Sequence, residues 1–318
     1  MSQLEATPPV TEVAGAVRFL TAVSTVEGAL AARLAIESLR TFGGTLSACP
    51  AWVFCRVGPG CDPAEVERAC AELEEVQVQP LVREAGAQPY PFRDKVQASA
   101  QAEAMAGPTV RSLVWLSPSC LIVRPPALFD LAPPLAAAFR TVHHRNIGSL
   151  AHEPLDAFWT GVYGAVGLGD APYTVESFAD RCEIRPYFNT HCFAIDPTRG
   201  LCRAWATRFE ELVADRAFQE GPCQDPLRRV FLHQAVLSAL VAKELERQEV
   251  RLLPPEYSYP LHMHDEVPPE RRARALNDLV CAAYEDAIPI DGIAIEEPLR
   301  SWLKARVADL EEREKSSC

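Results

Sequence analysis

The sequence predicts an α/β protein: a mainly parallel central sheet with helices on its flanks. Three observations carry this. Short apolar, β-branched runs alternate with stretches of helical spacing through the first third of the chain, the pattern of βαβ units. The runs at 16–23 (AVRFLTAV) and 112–116 (SLVWL) are apolar almost throughout, as strands buried on both faces are. A hydrophobic content of 48% over 318 residues is enough for a sizeable core.

The elements follow in order. Residues 1–15 read as a disordered leader, with acidic Glu5 and two prolines where a signal peptide would be basic and then apolar. Ala16 to Val23 is the first strand. Glu27 to Arg40 spaces Leu30, Leu34, Ile36 and Leu39 as a helix does, and Gly43-Gly44 is a stop signal. Trp52 to Val57 is the second strand. Asp62-Pro63 supplies an N-cap and a first-turn proline for a helix through Glu75, and the alternation of Val76 to Val82 predicts a third strand. Phe92 to Ala106 is helical and contains Lys95. Ser112 to Leu116 is a strand of central character, interrupted by Ser117-Pro118-Ser119-Cys120 before Leu121 to Val123 resumes it.

From Thr141 to Arg185 periodicity is weak, which predicts long loops or an insertion. Tyr187 to Asp196 returns to strand character. Helices are expected over 198–214 and 225–246, strands over 251–254 and 257–264, and a last helix near 301–313. No internal repeat or low-complexity linker marks a second domain.

Charge and cysteine usage narrow the function classes. A formal charge of −12 opposes a nucleic-acid backbone as partner, because affinity there comes from Lys and Arg displacing counterions. The 11 cysteines are scattered and form no C-x-x-C pair, so reduced thiols in an expected cytoplasmic setting are the simpler reading than disulfides or a zinc site. No run of 18 or more apolar residues suggests a membrane span.

Four stretches, taken in order, resemble the nucleotide-sugar glycosyltransferases of the A-type (GT-A) fold. RFLTAVSTVEGALAARLAIESLRTFGG is similar to that family's opening strand, loop and helix, where residues after the strand touch the nucleotide. RDKVQASAQAEAM followed by SLVWLSPSCLIVRPPALF occupies the place of its apolar strand ending in Asp-x-Asp. RPYFNTHCFAIDP resembles the strand carrying an Asn near the sugar or acceptor. FLHQAVLSALV with VRLLPPEYSYP looks like the Asp-Gln helix and the Leu-Pro strand after it. The resemblance spans most of residues 16–264. It implies a Rossmann-like nucleotide-binding half near 16–125, an acceptor half near 126–265, and a helical extension over 266–318 packed on the same domain.

The resemblance also implies a function: binding a nucleotide-diphosphate sugar and transferring the sugar to an acceptor. In metal-dependent members the Asp-x-Asp carboxylates hold a cation against the diphosphate. Ser117 and Ser119 stand there instead, so no metal site of that type and no cofactor are expected. Lys95, Arg145, Arg185, His262 and His264 are then the cations available to a diphosphate. A GT-A-like domain that has lost turnover and serves as a sugar, nucleotide or protein-binding module is the alternative. A nucleotidyltransferase ranks lower, since Ser24-Thr25-Val26-Glu27-Gly28 has one glycine and no lysine.

Each candidate has a plainer structural reading beside it. Thr25 and Glu27 follow the first strand, where they either meet the nucleotide or cap a helix. Lys95 reaches a phosphate or is a solvated helix lysine. Asn189, Thr190 and His191 put polar groups into an apolar strand, which is costly unless they are hydrogen-bonded or face a cleft. Gln234 matches the family's Gln, while His233 takes the place of its Asp. His262 and His264 are expected on one strand face, as phosphate or sugar contacts, as a transition-metal pair if a third ligand approaches, or as an incidental surface pair, and His143-His144-Arg145 is similarly open. Glu176, Asp180 and Glu183 are candidate bases or a solvated acidic loop.

Overall fold

The computed structural model describes residues 15–56, 58, 61–82, 88–285 and 292–317, with side chains to 309. The expected leader lies almost wholly outside the described residues. Along the chain, β1 (Val17–Val23) leads into α1 (Val26–Phe42), β2 (Ala51–Cys55) into α2 (Pro63–Cys70), and β3 (Val76–Pro80) into α3 (Arg93–Met105). After β4 (Ser112–Leu116) come β5 (Cys120–Ile122), β6 (Ala137–Phe139), α4 (Ala157–Val166) and the short β7 (Val175–Glu176) and β8 (Glu183–Ile184). Next are β9 (Cys192–Ile195), α5 (Leu201–Ala214), α6 (Arg216–Glu220), α7 (Pro226–Glu244) and β10 (Val250–Leu252). The chain closes with β11 (Tyr259–Pro260), β12 (Cys281–Ala283) and α8 (Leu299–Ser317).

Seven strands form the main sheet in the order β10-β6-β9-β4-β1-β2-β3. All neighbours run parallel except β9, which opposes both β4 and β6. The two strands read as most apolar, β1 and β4, lie side by side inside the sheet, where both faces are covered. β3, with Gln77 and Gln79 between its valines, is an edge. One face packs on α3, α4, α5 and α7, and the other on α1 and α2. A three-stranded sheet, β11-β12-β5, sits beyond the turn that follows β4, and its apolar side shares a cluster with Leu299 and Leu303 of α8. Residues beyond 265 therefore supply a strand as well as a helix. Among the described residues no helix is long and apolar enough to cross a membrane.

Several expectations are corrected. The helix predicted from Asp62 to Glu75 ends at Cys70, where Arg33 of α1 takes the Ala69 carbonyl that the next turn would have used. Arg33 donates to Ala69 O at 2.6 Å and Arg40 to Glu74 O at 2.9 Å, and Glu75 turns back with φ 54°. The weakly periodic middle contains β6, β7, β8 and α4. α4 carries Gly161 and Gly164, poor helix formers, and Gly161 is needed because a Cβ there would lie 2.5 Å from the Phe218 ring. The strand expected over 257–264 is limited to Tyr259–Pro260, and 3₁₀ turns occupy Leu261–Glu266. His262 and His264 thus do not share a strand face.

This topology gathers the chemistry. Because β9 alone is reversed, its entry at Asn189 to His191 meets the carboxyl ends of β4 at Ser117, β1 at Ser24 and β6 at Arg140 along one edge of the sheet. In open α/β sheets that edge forms the ligand crevice.

Candidate functional site

β4 stops at a tied turn. Ser117 N–H donates to His191 O at 2.8 Å, and Ser119 O accepts Tyr284 N–H at 3.0 Å. The buried Ser117 hydroxyl accepts the Trp115 indole N–H at 3.2 Å, while Ser119 is half-buried. Among the described residues, no three His, Cys, Asp or Glu side chains group as metal ligands do.

Lys95 enters from the opposite side of the same edge. α3 begins at Phe92, whose φ of 58° is unusual for a residue with a bulky side chain. That turn aims Lys95 inward, 6% exposed, with its ammonium 4.7 Å from the Phe92 ring centre and 5.5 Å from that of Trp115. Nζ donates to Thr190 O at 3.0 Å and lies 3.4 Å from Thr190 Oγ1. No carboxylate of the described residues pairs with it. Burial pulls its pKa down to about 7, and the nearby Cys120 and Cys192 offset only part of that.

Thr190 connects the lysine to α7. Its hydroxyl is 3.0 Å from His233 Nε2 and 3.4 Å from Gln234 Oε1. His233 Nδ1 lies 2.9 Å from Val230 O and so carries the proton, which leaves Nε2 to accept from Thr190. Burial holds this imidazole neutral, with its pKa well below the usual range. Asn189 Oδ1 lies 2.9 Å from His191 N, 3.1 Å from His191 Nδ1 and 2.7 Å from Ser258 Oγ. Burial, and then Lys95, Arg140 and His262, push the His191 pKa down to about 3.

Two further basic groups stand behind His191. Arg140, at the end of β6, is 1% exposed, and none of its three guanidinium nitrogens has a hydrogen-bond partner. Its guanidinium carbon is 5.6 Å from the centre of the Phe178 ring, and burial lowers its pKa to about 10. His143 is also buried with both ring nitrogens unpartnered, and burial and then Arg140 depress its pKa to about 3. The edge therefore sets the two cations Lys95 and Arg140 among neutral imidazoles. Two carboxylates sit on the outer histidines: Glu285 is 3.3 Å from His262 and Glu266 is 3.2 Å from His144.

Lys95, Ser117, Asn189, His191 and Gln234 are joined by hydrogen bonds through 189–191. The other candidates stand apart from that chain of bonds. Thr25 is the N-cap of α1, its hydroxyl accepting Gly28 N–H at 3.0 Å, and Glu27 is exposed in the first turn, so both do the work of capping at the rim. His264 Nδ1 is engaged by Tyr259 Oη at 2.9 Å. Arg185 is not available to a diphosphate, since it binds Asp170, Ser149 and the carbonyl of Glu153. Arg145 lines a separate cavity of about 330 Å³ with Asn146 and Arg228. Glu176 pairs with Arg271, Asp180 with Ser177 and the Arg145 N–H, and Glu183 with Thr174. A cavity of about 550 Å³, lined by Thr141, Phe178, Glu256, Tyr259 and Arg271, opens beside the carboxyl ends of β6 and β10.

Sequence reasoning missed Arg140 and Ser258. Arg140 had a signal, a charge closing the apolar run AAAF. Ser258 had none, because its partner Asn189 is distant in sequence.

The Rhodobacterales glycosyltransferase domain family matches residues 25–245, more than half of the chain. No curated protein matches by sequence. Among solved structures, the galactosyltransferase LgtC in complex with donor and acceptor sugar analogues superposes with a TM-score of 0.53 at 13% identity. That match covers 92% of this chain and 94% of that one. A structure of LgtC carrying an active-site mutation gives 0.51 at 12% identity over 93% and 95%. The mixed seven-stranded sheet flanked by helices is that of the A-type glycosyltransferases, and the chain belongs to the Rhodobacterales glycosyltransferase domain family.

Proposed function

We propose that the protein binds a nucleotide-diphosphate sugar at the carboxyl edge of its sheet and transfers the sugar to an acceptor, with basic side chains rather than a carboxylate-held cation meeting the diphosphate charge. The observation that carries this reading is Lys95: a buried ammonium without a carboxylate partner, at the edge where such sheets bind ligands. An uncompensated buried charge is costly, and an anionic ligand removes that cost. The fold family implies a divalent cation after β4, but the residues at this turn do not suit one. Two neutral hydroxyls, one already accepting the Trp115 N–H, lack the charge that a hard cation requires.

Sugar transfer leaves a nucleoside diphosphate with growing negative charge. A fixed cation in a low-dielectric site stabilises that charge without an ion. Lys95 is placed for this role, with Arg140 as a further source of positive potential. The cavity beside β6 and β10 offers room for an acceptor.

The test is a thermal-shift series with UDP-, GDP- and ADP-sugars, with EDTA and with Mn²⁺. One donor should raise the melting temperature by several degrees irrespective of chelator, and Lys95→Met should abolish that shift. Stabilisation that demands Mn²⁺, or silence with every donor, defeats the reading. Ser117 and Ser119 also favour a second reading, a binding module without turnover, which predicts the same shift but no release of nucleoside diphosphate on prolonged incubation.

A further inference from the structure

Ser258 combines three unusual properties. It is fully buried, it holds φ 55°, and its hydroxyl lies 2.7 Å from Asn189 Oδ1. A left-handed backbone at a residue with a Cβ is strained, and such strain persists only where the surroundings enforce it. Here the Ser258 N–H is fixed on Cys281 Sγ at 3.2 Å, so the hydroxyl is held in place from behind.

The bonds around Asn189 then determine a proton position on the neighbouring imidazole. The main-chain N–H of His191 is 2.9 Å from the Asn189 side-chain atom and can only donate, so that atom is the carbonyl oxygen. His191 Nδ1 lies 3.1 Å from the same oxygen and must carry a hydrogen to bond it. A neutral ring has one N–H, so the lone pair is on Nε2. Nε2 has no partner among the described residues, and the ring is half-buried beside the Ser117 turn. The charged and titratable groups facing it are Lys95, Arg140, His233 and His262, all of which oppose a second proton.

We propose that Ser258 and Asn189 are positioning residues that lock His191 in its Nδ1–H tautomer, so that Nε2 is a fixed hydrogen-bond acceptor for a sugar hydroxyl. Lys95 and Arg140 on the same edge are donors, which suit phosphate oxygens. A neutral imidazole lone pair repels those oxygens and accepts a hydroxyl, so the two kinds of group divide diphosphate from sugar. The hydroxyl belongs to the transferred sugar or to the acceptor. The ligand half of the proposal rests on the donor reading above, and the tautomer lock does not.

The experiment uses the full chain labelled with [15N]histidine, with His191 assigned by comparison with His191→Asn. Long-range 1H–15N spectra from pH 5 to 8 should show His191 protonated on Nδ1 with no titration in that range. Ser258→Gly keeps the left-handed backbone without strain and removes the hydroxymethyl group that carries the bond to Asn189. It should stay folded by circular dichroism and yet show mixed tautomers, and Asn189→Leu should do the same. A wild-type ring protonated on Nε2, a midpoint above pH 5, or spectra unchanged in both variants overturns the lock.

The ligand half is read by titrating the same sample with UDP, with UDP-, GDP- and ADP-glucose, and with free glucose and galactose. A shift at Nε2 with a nucleotide sugar but not with UDP places the hydroxyl on the donor, and a shift with a free sugar alone places it on the acceptor. If Nε2 moves with UDP alone, or with no sugar, the hydroxyl contact is refuted. If no nucleotide sugar perturbs any imidazole while the tautomer is as stated, the donor reading fails and the lock stands.

Discussion

Arg140 shows most directly how a single residue divides stability from function. Its guanidinium is buried without a hydrogen bond, so the folded chain bears the desolvation of a charge, a cost that the Phe178 ring and the neighbouring Cys192, Cys281 and Tyr259 offset only in part. Arg140→Met keeps most of the apolar stem and removes that charge. We expect the melting temperature of the unliganded protein to rise by several degrees, measured by calorimetry, while affinity for a nucleoside diphosphate falls about 10-fold or more. A variant that melts lower and binds as well would show that Arg140 is compensated internally and takes no part in anion recognition. The residue was legible only as a charge closing an apolar run. Its isolation depends on Phe178, and no local pattern connects the two.

At the scale of elements, the placement of Lys95 depends on how α3 is anchored to α5. α5 starts at Leu201 after Gly200, which offers no side-chain cap. Glu103, at the other end of α3 from Lys95, supplies one across the interface. Its Oε1 accepts Cys202 N–H at 2.9 Å, and Oε2 accepts both Arg203 N–H and Arg203 Nε at 3.0 Å. The carboxylate is buried, so its loss leaves helix N–H groups without partners. Glu103→Ala should therefore cost about 2–4 kcal/mol in denaturant unfolding. Glu103→Gln, which keeps one acceptor, should cost less. Equal effects of the two variants, or none, would remove Glu103 from this role. The long helices α1, α3, α5 and α7 were readable in the sequence, α1 by the spacing of Leu30, Leu34, Ile36 and Leu39. α4 was not, because Gly161 and Gly164 are poor helix formers and the Phe218 ring that packs on Gly161 is distant in sequence.

The whole molecule carries the pH dependence. Groups with depressed folded pKa values are stabilising above their unfolded values, and that stability is lost as pH falls through the folded ones. His143 and His191, both pushed down to about 3, must charge on unfolding below pH 6.5 and so reduce stability progressively in acid. Lys95 obeys the same rule in a higher window. Its burial penalty is complete below about 7 and is relieved as pH rises toward 10.5, by at most about 1.4 kcal/mol per pH unit. Cys49 and Cys70, pushed up to about 11, act oppositely: they lose their contribution as pH climbs from the ordinary thiol range through the folded values. The expected curve falls in acid below pH 6.5. Stability of the wild type relative to Lys95→Met should increase from pH 7 to 8.5, a difference in which the cysteines cancel. Urea titrations at several pH values measure both, and a flat difference would mean that Lys95 is not desolvated.

What the sequence determined by itself was the layer pattern and its order. Apolar runs of β1 and β4, helical spacing in α1, and the Ser117-Pro118-Ser119 interruption are local features that need no partner to be read. The tertiary structure decided which polar groups meet. The reversal of β9 brings Asn189 to His191 between Ser117 and Arg140, and the closing segment returns to set Ser258 under Asn189 and β12 against β5. Residues far apart in sequence acquire a shared dielectric and shared protons only when the chain packs them together, and periodicity along one segment contains no information about that.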